Sequence, residues 1–263
     1  MLRTLAFALL LLATPACRTT APATVLVVSI DALHPDTLLD DTMPNVRRTM
    51  ARGQHTLLGR STRPPKTLIA HTAMVTGLSP EQNGKTDNAW SAGQPTVGVR
   101  TVFHAAKDAG YRTAFFYSKE KLGYLASPAV DVHALAPDDG VARARQLLAE
   151  GRRAFVFLHV SGLEFVGMDS GWLSPEYRAE ARSIDGELGP LLDDVARRGS
   201  FLVVITSDHA GHGLEHGTDH PDDARLPLVL RSDLRRFPEV QERPFEITAL
   251  TPLLSSVLAA ARR

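Results

Sequence analysis

Residues 25–30 constrain the fold of this chain more than any other stretch. They read Val-Leu-Val-Val-Ser-Ile and end at Asp31. Successive side chains of a strand point to opposite faces, so a strand apolar on nearly every position must be covered on both sides. Residues 113–117, 154–160, 201–205 and 226–230 are further candidate strands. Helical patterns lie between them. Val99, Val102, Phe103 and Ala106 recur at spacings of three and four before Gly110, and residues 141–148 form another short helix candidate. Ser174-Pro175 reads as an N-cap followed by proline at the first helical position, and Tyr177, Ala181, Ile184, Leu188 and Leu192 continue as an apolar stripe. Pro190 is expected to bend or interrupt that helix. A last helix is expected over residues 245–260. Strands alternating with helices predict an α/β fold, a largely parallel central sheet flanked by helices on both faces.

The chain has 263 residues and 44% hydrophobic content, which suits one such domain better than two. Its 29 basic and 29 acidic residues cancel, so no nucleic-acid scaffold and no anionic membrane surface is implied by charge. Composition does not speak to the oligomeric state.

The N-terminus adds a location. Arg3, an apolar run over residues 5–13 and the small residues before Cys17 read as a secretory signal over residues 1–16, too short to span a bilayer. Cys17 is the only cysteine, so an internal disulfide cannot explain it. The stretch resembles a bacterial lipoprotein signal, which makes Cys17 the lipidated first residue, residues 17–24 a short tether and residues 25–263 the domain. The competing reading is an ordinary cleaved signal with a spare cysteine. The expectation is an exported protein of the bacterial periplasm or cell envelope, held to the membrane through a lipid on Cys17.

Three separated segments look chemically loaded. Asp31 ends the first strand; Ser207-Asp208-His209 follows a later one; Thr67 precedes a helical pattern over residues 68–75. In open parallel sheets, ligands bind beyond the carboxyl ends of the strands, where these residues fall. Carboxylates and imidazole suit zinc, and a bound metal is one way to activate a weak hydroxyl nucleophile. Each residue alone has a plainer reading. An Asp at a strand end is usually a turn residue, a Thr before a helix usually a cap, and Asp-His before glycines can be a surface turn.

The ordered matches decide more. Val27-Val28-Ser29-Ile30-Asp31, Thr67 through Thr76-Gly77-Leu78-Ser79-Pro80-Glu81, and Thr206-Ser207-Asp208-His209-Ala210-Gly211-His212-Gly213 resemble the type I phosphodiesterase and nucleotide pyrophosphatase branch of the alkaline phosphatase superfamily. So do Ala109-Gly110-Tyr111-Arg112-Thr113-Ala114 and Gly171-Trp172 with Ser174-Pro175-Glu176-Tyr177. The resemblance implies an alkaline phosphatase-like fold, two zinc ions and a transiently phosphorylated Thr or Ser. By position it assigns one ion to Asp31, Asp208 and His209, with Thr67 as both nucleophile and ligand. The second ion falls to Glu164 and His216. Lys66, His71 and His212 are assigned supporting contacts to ligands or substrate.

The chain departs from that pattern in three places. Glu164-Phe165-Val166-Gly167-Met168 stands where the family reads Asp, two variable residues, Gly and His. A neutral thioether is a poor zinc ligand, so Met168 weakens or removes the second ion unless Asp169 or His159 substitutes. Ala70 replaces an Asn that donates to a phosphoryl oxygen, and Asn83 replaces a His. Sulfatases share the fold, but their nucleophile is made from Cys or Ser, and Thr67 cannot undergo that conversion. Two functions follow from the resemblance. One is a metal-dependent phosphoric ester hydrolase, a phosphodiesterase or phosphatase acting through phosphothreonine on a phosphate ester or diester. The other is an inactive or weakly active single-metal envelope binding protein. In either case zinc is the expected cofactor, with one ion tightly bound and the second weak or absent.

Overall fold

The computed structural model describes residues 21–260, so the signal segment and Cys17 lie outside the described residues. In chain order the elements are β1 (Thr24–Ile30), α1 (Pro44–Ala51), β2 (Gln54–Arg60), α2 (Thr67–Thr76), α3 (Pro80–Asn83), α4 (Val102–Asp108), β3 (Arg112–Tyr117) and β4 (Val132–Leu135). There follow α5 (Gly140–Ala149), β5 (Ala154–Val160), α6 (Leu163–Ser170), α7 (Pro175–Arg198), β6 (Phe201–Thr206), β7 (Arg225–Ser232), β8 (Phe245–Glu246) and α8 (Leu250–Ala259).

The eight strands form one sheet in the order β4-β3-β5-β1-β6-β7-β2-β8. Pairings are parallel except where β7 meets β6 and β2, so the sheet is mixed rather than purely parallel. The strand alternation is visible in the two cores. Val25 and Val27 pack into the layer with α2, α4 and α8, while Leu26, Val28 and Ile30 pack into the layer with α1, α5 and α7. Both faces of β1 are therefore dry, as a run of apolar residues requires.

Several boundaries differ from the sequence reading. Helix α7 runs unbroken through Pro190. The proline removes the bond to the Gly186 carbonyl, but Gly186 and Pro190 lie on the exposed side, where water can solvate that group. Phe245 belongs to the two-residue strand β8 rather than to the last helix, which begins at Leu250. The stretch expected as a tether is already part of the domain from residue 21. Ala21 is buried, the Tyr111 hydroxyl donates to the Pro22 carbonyl, and β1 begins at Thr24. Among the described residues, no helix is long and apolar enough to cross a membrane.

Candidate active site

The carboxyl ends of the parallel strands β1, β3, β5 and β6 open at one edge of the sheet, and the loaded residues collect there. Asp31 follows β1, and Asp208 and His209 follow β6, paired to it in register. All three are fully buried. His209 Nε2 lies 3.5 Å from both Asp31 Oδ1 and Asp208 Oδ2. Each of these three atoms is buried without a hydrogen-bond partner. Buried polar atoms are nearly always satisfied, so three unsatisfied ligand atoms pointing at one another are what a cation site would leave.

The backbone fixes each ligand. A carbonyl can only accept, so His209 Nδ1, 2.8 Å from the Ala210 carbonyl, carries the proton and leaves the Nε2 lone pair facing the carboxylates. Asp208 Oδ1 accepts from the Ala32 amide at 3.2 Å. The turn after Asp31 puts Ala32 at a φ of 60°, a conformation unusual for a side-chain-bearing residue. Tyr177, fully buried on α7, locks that turn: its hydroxyl donates to the Ala32 carbonyl at 2.6 Å and accepts from the His34 amide at 2.9 Å.

Thr67 is the first residue of α2, a ten-residue helix buried at every position. The Leu68 amide donates to Asn88 Oδ1 at 2.8 Å. His71, one turn on, donates from Nδ1 to the Thr67 carbonyl at 2.8 Å, so its Nε2 accepts from the Ser29 hydroxyl at 2.9 Å. The ring also stands 3.5 Å from Asp208 Oδ2. Burial, only partly opposed by the Asp208 carboxylate, pushes His71 down to about 4, so it is neutral at physiological pH.

A second group lies beside the first. Glu164, in the first turn of α6, places Oε1 3.0 Å from His216 Nε2. The His209 and His216 rings stack at 4.6 Å, and His209 Nε2 is 3.9 Å from Glu164 Oε1. Glu164, His209 and His216 thus form a second set of converging ligand atoms that shares His209 with the first. Trp172 backs His216 with ring centres 5.9 Å apart. A Cβ on Gly211 would sit 2.4 Å from the Trp172 ring and one on Gly167 2.8 Å, which is why glycine is needed at both positions. Neither expected substitute joins this group. Asp169 is exposed and accepts from Ser170, while His159 Nε2 lies 3.2 Å from Asp31 Oδ2. Met168 is 42% exposed.

The remaining candidates fall further out. Lys66 lays its aliphatic chain across Gly217. His212 belongs to a separate group: its Nδ1 meets the buried Asp223 Oδ1 at 2.7 Å and its ring stacks on His220, the three offering converging ligand atoms of their own. Asn83 holds its own loop by donating to the Leu78 carbonyl and accepting from the Lys85 amide. Ala70 is buried in the core.

Two lysines had no motif to announce them. Lys119, just beyond β3, has Nζ 2.5 Å from Asp31 Oδ2 and 3.4 Å from Thr67 Oγ1, and it also contacts Glu164 Oε2. Burial alone would raise Asp31, but Lys119 and His159 outweigh it and hold the carboxyl well below the usual range. Burial would likewise raise Glu164; its bonds to His216 and Lys119 hold it down at about 2. Lys121, half-buried on the same turn, is lowered by burial and by the neighbouring Lys119.

Residues 25–122 and 100–224 match the family described as Type I phosphodiesterase / nucleotide pyrophosphatase. The chain belongs to that family. Among relatives, an alkaline phosphatase, PhoK, of Sphingomonas sp. is 28% identical over 161 residues, 61% of this chain and 26% of its own length. A venom phosphodiesterase of Macrovipera lebetinus is 25% identical over 201 residues, 67% of this chain and 23% of its own. The chain therefore spans only about a quarter of the length of these relatives. The solved structure of murine ectonucleotide pyrophosphatase / phosphodiesterase 5 superposes with a TM-score of 0.71 at 15% identity, covering 89% of this chain and 95% of that one. This type I phosphodiesterase family member therefore has the alkaline phosphatase-like fold with one complete set of ligand atoms and a second, degraded one.

Proposed function

We propose that this protein is a metal-dependent phosphoric ester hydrolase, a phosphodiesterase or phosphatase, in which Thr67 is the nucleophile. The observation that carries the reading is the convergence of Asp31 Oδ1, Asp208 Oδ2 and His209 Nε2, buried and unpartnered, at the strand ends beside Thr67. Two carboxylates and one imidazole form a hard, borderline donor set that fits zinc. A divalent cation held there supplies Lewis-acid charge that favours an ionised hydroxyl and offsets charge developing on phosphoryl oxygens.

The chain's own groups account for the rest. The Thr67 hydroxyl gives its proton to water, Oγ attacks phosphorus, the bond to the leaving oxygen breaks, and that oxygen departs with the electron pair and takes a proton from water. Water then attacks the phosphorus of phosphothreonine, the bond to Thr67 Oγ breaks, and Thr67 regains its proton. Lys119, 3.4 Å from Thr67 Oγ1, donates toward the hydroxyl and favours its ionised form. His159 carries its proton on Nε2, because Nδ1 accepts from the Ser118 amide, and orients Asp31 by donating to it.

The test is substitution of Thr67 by Ala in purified zinc-loaded protein, assayed on aryl phosphate mono- and diesters, with acid-quenched samples searched by mass spectrometry for phosphothreonine. Turnover is expected to fall at least about a thousandfold, roughly 4 kcal/mol of transition-state stabilisation, and the modified peptide to vanish. Full activity in the variant would sink the mechanism. A mouse relative of this fold is known in an inactive threonine-to-alanine form with AMP bound. A second reading, a single-metal envelope binding protein, is favoured by Ala70, which offers no donor beside the nucleophile. It predicts zinc binding with no turnover of either ester class by the unsubstituted chain.

We place this chemistry outside the cytoplasm, on a lipid carried by Cys17. The signal-like N-terminus supports this, as does a periplasmic domain from Escherichia coli, solved with zinc, among structures of the same fold. An intact mass for the mature chain without a diacylglyceryl-type increment on Cys17 would remove the anchor.

A further inference from the structure

The Lys119 ammonium sits between the two sets of ligand atoms, on a side chain only 9% exposed. An ammonium has three donors, and three acceptors surround this one: Asp31 Oδ2, Glu164 Oε2 and Thr67 Oγ1. A metal bridging the same carboxylates would need these oxygens.

Two further observations bear on the space for a second cation. His209 has a single free lone pair, on Nε2, because Nδ1 is committed to the Ala210 carbonyl. It faces both sets, at 3.5 Å from Asp31 and Asp208 and 3.9 Å from Glu164, but it can ligate one ion only. Once it serves the Asp31 and Asp208 set, the outer set is reduced to Glu164 and His216, with Met168 42% exposed beside them. Charge points the same way. Asp31, Asp208 and Glu164 are the buried carboxylates of the site, and one divalent cation with one ammonium neutralises them. Two divalent cations together with Lys119 would leave uncompensated positive charge in a largely buried site.

We infer that Lys119 replaces the second divalent cation of the family's two-ion arrangement, bracing Asp31 and Glu164 and presenting a fixed positive charge to Thr67 Oγ1. The inference deepens the hydrolase reading, on which its catalytic half rests, but its structural half is measurable without turnover. It also explains how the outer set dispenses with a third ligand at Met168: the cation there is covalently part of the chain.

The experiment counts zinc per chain by elemental mass spectrometry after equilibrium dialysis of the full chain against zinc. Four proteins are compared: the unsubstituted chain, Met168→His, Lys119→Met and the double variant. One ion is expected for the unsubstituted chain and for Met168→His, because a restored imidazole cannot compete while Lys119 holds Glu164. Two are expected for the double variant. Two ions in the unsubstituted chain, two in Met168→His alone, or one in a folded double variant would each overturn the inference. If Lys119→Met does not fold, Met168→His still decides, since its side chain starts at the surface. A count of zero in the unsubstituted chain would overturn the metal-dependent reading itself. A count of one without phosphothreonine would spare the lysine's role and remove the hydrolase.

Discussion

The inner and outer sets of ligand atoms are built from different materials. Asp31, Asp208 and His209 stand immediately beyond adjacent central strands, fully buried, each fixed by a backbone contact or by a turn locked from α7. Glu164 and His216 stand on the first turn of α6 and on a loop, and both sit nearer solvent. A strand end flanked by two paired neighbours can hardly move without disturbing the sheet. A helix start and a loop can be rebuilt one residue at a time. The contrast teaches why the inner set is complete while the outer one has a glutamate, an outward methionine and a lysine from the turn after β3.

The comparison can be broken most decisively at Asp208. Zinc at a thousandfold excess over its dissociation constant should stabilise the chain by about 4 kcal/mol, since it binds the folded state alone. Asp208→Asn is expected to abolish that gain, read as the loss of a zinc-dependent rise in Tm. The same substitution strategy at Glu164 should leave most of it. Equal losses at both positions would erase the distinction between the sets.

A smaller effect sharpens the inner set through His71. Folded His71 binds a proton only near pH 4, whereas an unfolded histidine binds one below about 6.5. Between those values the unfolded chain takes up a proton that the folded chain refuses. The stabilisation is therefore complete above pH about 6.5 and falls as pH drops toward 4, by about 3 kcal/mol in the limit. Urea midpoints of the metal-free chain at pH 7 and 4.5 should show this loss, and His71→Asn should flatten it. An unchanged acid slope would mean that other groups govern it.

The smallest effect tests the outer set. Gly211→Ala would drive a Cβ into the Trp172 ring and the Glu215 carbonyl. The expected cost is about 2 kcal/mol of stability, the range for overpacking a filled site, with His216 displaced. Chemical denaturation reads the first and the histidine's NMR shift the second. A neutral substitution would show that Trp172 is free to yield.

Much of this architecture was legible because burial on two faces writes itself as continuous apolar sequence. Residues 25–30, 154–160 and 201–205 read as strands, and the structure pairs them as the centre of the sheet. Strand β2 was not legible: Gln54–Arg60 alternates burial near the edge, interrupted by a register shift, and its sequence resembles a loop. Strand β4, four residues long with half its positions exposed, hid in the same way.

By itself, the sequence marked Asp31, Asp208 and His209 just beyond buried strands and Thr67 at the head of a helix, because polar residues at the end of an apolar run have few places to go. The roles expected of them as ligands and nucleophile came from the family resemblance. Only the tertiary structure decided what surrounds them. Lys119 and Asn88 lie in segments without a motif, His159 near the end of β5 was weighed only as a substitute ligand, and crossovers far apart in the chain bring the three to the same strand ends. The physical reason is that sequence pattern records burial along one element, while charge balance in a site belongs to whichever elements the sheet order sets side by side.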